Sequence, residues 1–185
     1  KLVMDEIEFM VLDEVDEMLN MGFIDDIEFI LDNVPEDSQR LMFSATLARR
    51  IENIAKKYLK DPQTVKIEKS KDIAKLITHV YYQTDRSNRM ESLNRILTVE
   101  EDFYGIIFCQ TKAETEVLTA ELNNQGISAE YLHGDIAQKS RETILNRFKS
   151  KKSRVLVATD VAARGIDVDS LTHVINYSVP ESDEA

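Results

Sequence analysis

The chain has 185 residues, of which 43% are hydrophobic and 31% charged, with a formal net charge of −11 and a single cysteine. This composition is typical of a soluble globular protein, and the acidic balance argues against indiscriminate binding to nucleic acids. One cysteine excludes an intrachain disulfide framework, and the sequence shows neither an apolar run of roughly 20 residues nor a signal peptide, so a cytoplasmic location is expected.

The stretch from Phe9 to Leu19, FMVLDEVDEML, predicts a buried strand that runs into acidic residues. Its four leading apolar residues fit a strand of a parallel sheet that is buried on both faces. Asp13, Glu14 and Asp16 follow at the carboxyl end, where carboxylates can hold Mg²⁺ and position a water for attack. From these residues alone, capping of the next helix by the same acids explains the pattern equally well.

The residues after this strand predict further elements of an α/β domain, in the order helix, strand, helix, strand. Their expected bounds are 16–32 with a break at Gly22, 40–43, 47–59 and 64–67. Ser44 and Thr46 follow the second strand, so they are expected near the acids if the two strands are neighbours in one parallel sheet. The polar segment 68–75 is a candidate linker.

From residue 77 onward, strands and helices alternate at a spacing that predicts a second parallel sheet with right-handed crossovers. Strands are expected at 77–83, 104–109, 128–132, 154–158 and 173–177, and helices at 88–97, 112–124 and 137–148. The fold class is therefore α/β. Residues 1–67 have too few strands for a complete sheet and are the C-terminal part of a first domain, whereas 76–185 make up most of a second.

Polar residues stand at the carboxyl ends of several of these strands, where open α/β sheets bind ligands. They are Thr111, His133, Asp135, Thr159, Asp160, Arg164, Gly165 and Asp167. Thr159 can donate to a phosphate, Gly165 permits a turn close to a ligand, and Asp167 can accept from a ribose hydroxyl. The basic segment 139–154 fits either an ordinary solvated helix face or an anion-binding surface.

Five short motifs carry a family resemblance. They are DEVD at 13–16, SAT at 44–46, IIFCQT at 106–111, HGD at 133–135 with Gln138 and Arg141 beyond it, and ATDVAARGID at 158–167. In order and spacing they resemble motifs II, III and IV, the Gln-x-x-Arg element and motif V of DEAD-box RNA helicases, bacterial ones in particular. One motif alone is weak, but five in series are specific, and the resemblance covers essentially the whole chain.

The resemblance implies tandem RecA-like domains that clamp ATP between them and grip one RNA strand across both. Asp13 would hold Mg²⁺ through water, and Glu14, also near the metal, would orient or deprotonate the hydrolytic water. Ser44 and Thr46 would complete the catalytic set by joining the acids to the second domain. Asp16 is implied to take part in the contact between the domains.

The same resemblance assigns roles in the second domain. Gly165 and Asp167 would bind the nucleotide, Asp167 through its ribose, and Arg164 would shape the closed interface together with Gly165. The residues implied to contact RNA phosphates, without reading sequence, are Thr111, Arg141 and Thr159. His133 is interpreted as a residue that shapes its loop. Further protein partners would bind through regions outside this sequence, and no membrane contact is implied.

Two departures from the family pattern matter. Val15 stands where the family name has alanine, which adds two methyl groups and removes no ligand. The sequence also contains no GxxxxGK[ST] and stops before the expected HRxGRxGR element. The chain is therefore expected to be an internal piece of a longer ATP-dependent RNA helicase, inactive alone. A non-catalytic RNA-binding or regulatory module remains the alternative, and a DNA-directed helicase is disfavoured by DEVD, SAT and ARGID.

Overall fold

Parallel strands flanked by helices make up both halves of the chain in the computed structural model, which describes residues 4–67 and 77–178. The chain separates into two units, residues 1–78 and 79–185. The candidate linker at 68–75 lies outside the described residues. The domain boundaries therefore stay a prediction.

In the first unit, helices pack on a pair of parallel strands. The elements in chain order are β1 (Phe9–Leu12), α1 (Val15–Asn20), α2 (Ile24–Asp32), β2 (Gln39–Met42) and α3 (Arg49–Tyr58). Phe9 pairs with Gln39 and Leu12 with Met42, so the two strands end side by side. Their core consists of Leu12, Val15, Ile27, Leu31, Ile51, Ile54 and Tyr58. Gly22 has a φ of 83°, which breaks the helical stretch as expected.

The described residues cover only one face of β1, so the prediction that this strand is buried on both faces is wrong. Leu12 is buried and Met10 packs on the core, whereas Phe9 is 64% and Val11 55% exposed. Side chains alternate between the two faces of a strand, and the described helices of this unit all join the core on the Leu12 side.

The second unit contains a four-stranded parallel sheet. Its elements are α4 (Arg89–Val99) after a 3₁₀ turn at Arg86–Asn88, β3 (Gly105–Cys109), α5 (Lys112–Asn124), β4 (Ala129–Leu132), α6 (Gln138–Lys149), β5 (Val155–Thr159), α7 (Asp160–Ala163) and β6 (His173–Asn176). The strand order is β4-β5-β3-β6. Such an order requires the crossover connections that the alternation of elements predicts.

The central strand β5 shows the burial on both faces that β1 lacks. Val155 and Val157 face a cluster that includes Leu97 of α4 and Leu122 of α5. Leu156 and Ala158 face the opposite cluster, which includes Phe148 of α6 and Ala162 of α7. The continuous apolar run VLVA at 155–158 is therefore explained by helices on both sides of the sheet.

Gly105 at the start of β3 has no room for a side chain. A Cβ at this position would lie 2.3 Å from the carbonyl oxygen of His173, the first residue of β6. A methyl group that close would force the two strands apart, so glycine is required for the pairing of β3 with β6.

Two predicted strands, at 64–67 and 77–83, are wrong. Neither segment has regular secondary structure over its described residues, and Ile67 and Tyr81 are strongly exposed. A strand is stabilised by a hydrogen-bonded neighbour, and no strand in the described parts of the chain pairs with either segment. In α5, the buried face is formed by Thr115, Leu118, Thr119 and Leu122, and Val117 is exposed.

Candidate functional site

The carboxyl ends of β1 and β2 are joined by backbone and side-chain hydrogen bonds. The Phe43 amide donates to the Leu12 carbonyl at 2.8 Å, and the Val15 amide donates to the Phe43 carbonyl at 3.1 Å. Asp16 Oδ2 accepts from the Thr46 amide at 2.8 Å and from the Thr46 hydroxyl at 3.1 Å. The DEVD and SAT motifs are therefore direct neighbours, as the sequence predicts for adjacent parallel strands.

Asp16 is held in its ionised form by these donors. Its side chain is 8% exposed, and burial by itself would raise the pKa of the carboxyl. The amide and hydroxyl of Thr46, the Ser44 hydroxyl and the Glu17 amide outweigh that effect, so the pKa of Asp16 lies below its usual value. The bonds that Asp16 accepts from Thr46 and Glu17 are made inside the first unit, and its role between domains stays a prediction.

Ser44 and Thr46 form a tight turn around the same carboxylate. The Ser44 hydroxyl donates to the Thr46 carbonyl at 2.6 Å, which folds the SAT segment onto itself. This geometry gives both residues a local task, which is to fix the turn and bind Asp16. The predicted link of Ser44 and Thr46 to the second domain is not tested by this geometry.

Asp13 and Glu14 remain exposed at the end of β1, between the buried Leu12 and Val15. Glu14 has a φ of 53°, in the left-handed region, and its amide donates to Asp13 Oδ1 at 2.9 Å. No side chain caps α1, so the capping explanation for these acids is not supported. The conformation directs the chain sharply from strand to helix while both carboxylates stay open to solvent.

The acidic pair suits a magnesium ion that is held mainly by other ligands. Among the described residues, no group of three or more His, Cys, Asp or Glu side chains is arranged to hold a metal ion. Mg²⁺ typically keeps several waters and takes one or two carboxylates together with the phosphates of a substrate. An exposed pair of carboxylates meets that requirement without a protein cage.

In the second unit, β3, β4 and β5 end at one edge of the sheet, since Cys109 pairs with Thr159 and Leu132 with Ala158. Thr111 is the N-cap of α5 and accepts from the Glu114 amide at 3.1 Å. The Glu114 carboxylate in turn accepts from the Gln110 amide at 3.1 Å. This reciprocal arrangement resembles a capping box, whose T-x-x-E pattern is visible in the sequence.

Glu114 also connects this loop to the end of β6. The Ser178 hydroxyl lies 2.8 Å from both carboxylate oxygens of Glu114, and Arg89 NH1 lies 3.9 Å from one of them. The guanidinium of Arg89 sits over the ring of Tyr177. Sequence reasoning missed this group, because no local pattern places residues 89, 114 and 178 together.

The HGD loop after β4 lies against the start of α5. His133 is buried and its Nε2 lies 3.0 Å from Glu116 Oε1, while Lys112 Nζ donates to Asp135 Oδ1 at 2.6 Å. Lys112 lowers the pKa of Asp135, first through this hydrogen bond and then through its charge. The interpretation of His133 as a loop-shaping residue agrees with this placement.

Motif V contains a short helix that the sequence pattern did not reveal. Thr159 occupies the position before α7, and Arg164, which follows the helix, donates to Asp160 Oδ2 at 2.9 Å. Gly165 has a φ of 68°, a left-handed conformation that favours glycine, and Asp167 is exposed.

Arg141 is tied to this same segment. Its NH2 group donates to the Ala162 carbonyl of α7 at 2.6 Å. The predicted RNA-binding arginine and the predicted nucleotide-binding segment are therefore in contact.

None of the described helices is long and apolar enough to cross a membrane.

Comparison with protein families matches both halves of the chain. The family described as helicase conserved C-terminal domain matches residues 88–185, more than half of the chain, and the family described as DEAD/DEAH box helicase matches residues 1–54. The two matches cover the ATDVAARGID and DEVD motifs respectively.

Curated relatives extend the match over the full chain. ATP-dependent RNA helicase CshA of Listeria monocytogenes is 42% identical over 184 residues, which are 100% of this chain and 35% of that protein. A probable ATP-dependent RNA helicase of Methanocaldococcus jannaschii is 44% identical over 184 residues, 100% of this chain and 49% of that protein. The chain thus spans between about a third and a half of the length of these relatives.

Solved structures confirm the predicted fold class, an α/β fold of tandem RecA-like parallel-sheet domains. A DEAD box protein from Methanococcus jannaschii has a TM-score of 0.57 and 44% identity, covering 99% of this chain and 49% of that one. Yeast Dbp5 bound to RNA and ADP BeF3 has a TM-score of 0.77 and 28% identity, covering 98% of this chain and 47% of that one. Sequence and fold agree over both halves, and the chain belongs to the DEAD-box helicase family.

Proposed function

We propose that the chain is the central segment of an ATP-dependent RNA helicase, with residues 1–67 in the first domain and 76–185 in the second. The full protein would couple ATP binding and hydrolysis to local unwinding of RNA duplexes or remodelling of RNA–protein complexes. The observation that carries this proposal is the joined end of β1 and β2, where the Asp16–Thr46 bonds leave Asp13 and Glu14 exposed. A cytoplasmic location belongs to the same proposal.

The exposed acids fit the metal and water side of an ATP site. Phosphoryl transfer depends mainly on positioning and on compensation of charge, and Mg²⁺ supplies much of that compensation when bound. Asp13 would hold the ion through water, and Glu14 would orient the attacking water or accept its proton. Gly165 and Asp167 of the second domain would also contact the nucleotide, Asp167 through its ribose.

The second unit fits a surface for the RNA backbone. Thr111 and Thr159 stand at adjacent strand ends, and Arg141 lies at the start of α6 with one donor on Ala162. Hydroxyl and guanidinium groups bind phosphates without reading bases, so the protein would accept RNA of many sequences. The relative solved with RNA and ADP BeF3 supports both ligands for this chain.

The test uses the full-length protein and its Glu14→Gln variant. Wild-type protein should hydrolyse ATP faster with RNA than with the same length of DNA, and the variant should lose turnover while it still binds RNA in the presence of ATP. Robust RNA-stimulated turnover by residues 1–185 alone, abolished by the same substitution, would contradict the proposed incompleteness of the segment. Preference for DNA would contradict the choice of RNA.

A non-catalytic RNA-binding or regulatory module predicts a different result. In that case neither the wild-type protein nor Glu14→Gln would show RNA-stimulated ATP turnover, and both would bind RNA equally well. Reading the coding sequence upstream adds an independent criterion. A GxxxxGK[ST] element there supports the helicase, since it supplies the phosphate cradle that the 185 residues do not contain.

A further inference from the structure

Two parallel contacts connect the start of α5 to the loop between β4 and α6. Lys112 Nζ lies 2.6 Å from Asp135 Oδ1, and Glu116 Oε1 lies 3.0 Å from His133 Nε2. Residues four apart on a helix share one face, so the lysine and the glutamate point the same way. These four residues are called the loop brace below, since they attach one loop to one helix at two points.

His133 is the buried half of the loop brace. Its side chain is almost fully buried, its ring stacks on Tyr131 with centroids 5.4 Å apart, and its Nδ1 accepts from the Asp135 amide at 3.4 Å. With Nδ1 as the acceptor, Nε2 carries the proton and donates to Glu116. One neutral tautomer therefore satisfies both ring nitrogens.

The lysine pair is the exposed half. Both side chains are more than half exposed, and an ion pair of this kind stabilises a protein only weakly on its own. The contribution of the pair is geometric. With two attachments to α5, the loop between β4 and α6 cannot rotate about a single contact. The loop brace therefore restricts the position of the first turn of α6 relative to α5.

The loop brace lies between the two elements that are proposed to bind RNA phosphates. Thr111 directly precedes Lys112 at the start of α5, and Arg141 lies in the first turns of α6. We propose that the loop brace sets the separation of Thr111 and Arg141 so that both contact phosphates of one RNA strand. Its members are positioning residues, and this inference rests on the proposed function.

The two acids of the loop brace allow a test in which two explanations predict opposite changes in RNA affinity. Glu116 and Asp135 carry negative charge close to a proposed path for a polyanion. If they acted only through charge, removing either would strengthen RNA binding. If they act through the loop brace, removing either weakens binding even though the local repulsion falls.

The experiment measures binding of a fluorescent single-stranded RNA by the full-length protein with a non-hydrolysable ATP analogue. Glu116→Ala and Asp135→Ala should each weaken binding about fivefold, which corresponds to about 1 kcal/mol. Glu116→Gln and Asp135→Asn retain an acceptor for His133 and Lys112, so they should recover most of the affinity. Glu101→Ala, an exposed acid at the other end of β3, should change nothing.

Two further readouts separate positioning from other roles. The slope of the salt dependence of binding should fall by about 0.7 in Glu116→Ala, because the misplaced Arg141 loses its phosphate contact, and it should be retained in Glu116→Gln. In steady-state hydrolysis, the KM for RNA should rise while kcat at saturating RNA is retained. Equal melting temperatures for the variants exclude a general loss of stability.

The proposal is overturned if the alanine and amide variants behave alike or if either alanine variant binds RNA more tightly. Absence of RNA binding by the wild-type protein would instead refute the proposed function. In that event amide hydrogen exchange still tests whether the loop brace restrains the loop. Exchange at residues 133–137 of the free protein should be faster in Glu116→Ala than in Glu116→Gln. Equal exchange in the two variants would refute it.

Discussion

Asp16→Asn should loosen the joined ends of β1 and β2 by about 2 kcal/mol. The carboxylate accepts two hydrogen bonds from Thr46, at 2.8 and 3.1 Å, and one from the Glu17 amide at 3.2 Å. Asparagine keeps one oxygen for Thr46 and turns an NH₂ group toward the Glu17 amide. Two charge-assisted bonds become neutral and each loses about half of roughly 2 kcal/mol, which sums to about 2 kcal/mol; the lost bond from the Glu17 amide makes this figure a lower bound.

Hydrogen exchange at the Thr46 amide is the appropriate assay, because a protein with several domains does not unfold in one step. A loss of 2 kcal/mol corresponds to exchange about 30-fold faster in the variant at neutral pH. Thr46→Val is the matched control. It removes the hydroxyl and retains the backbone amide, so exchange at the amide of residue 46 should be only about fivefold faster than in the wild type.

The pH dependence follows from the lowered pKa of Asp16. A carboxyl with a folded pKa below its unfolded value, about 3.9, stabilises the fold fully above that value, and the contribution is lost as pH falls through the folded pKa. The difference between wild type and Asp16→Asn should therefore be constant from about pH 7 to about pH 5 and narrow below it. A difference below about fivefold at neutral pH, or one that widens on acidification, would refute the reasoning.

Three other substitutions or reactions test single features. Val15→Ala should lower the local stability of the first domain by about 1.5 kcal/mol, measured by amide hydrogen exchange in α1, because it removes two methyl groups from a fully buried site; unchanged exchange would contradict this. Glu14→Gly should be about 1 kcal/mol more stable than Glu14→Ala, because only glycine adopts a φ of 53° without strain; the reverse order would contradict it. Cys109 should resist alkylation in the folded protein at neutral pH, since burial raises its pKa to about 12, and labelling faster than unfolding would disprove this.

Apolar patterning located most strands and helices but could not tell how many faces of a strand are covered. FMVL and RVLVA look alike in sequence, yet β5 has helices on both sides and β1 on one. Burial on the second face depends on elements distant in the chain, which a local pattern does not contain. The segments at 64–67 and 77–83 illustrate the same limit, since strand propensity is expressed only where a partner strand is available.

The order of polar residues along the sequence predicted which of them meet, because parallel strands end at one edge. DEVD and SAT are in contact for this reason, and Thr111 lies near Thr159 through the pairing of β3 with β5. The contacts made by Glu116 and Ala162 were not predictable. They depend on side-chain direction and on the short helix α7, which is too brief to produce a helical period.

Arg141, which is proposed to bind RNA, contacts the segment that is proposed to bind the nucleotide. Its guanidinium has several N–H donors, of which one is bonded to the Ala162 carbonyl, the single partner among residues 4–67 and 77–178. A phosphate bound by the remaining donors would act on the same side chain that contacts α7, directly before Arg164 and Gly165. RNA and nucleotide would then be coupled through one residue, and linkage requires that each ligand change the affinity for the other by the same factor.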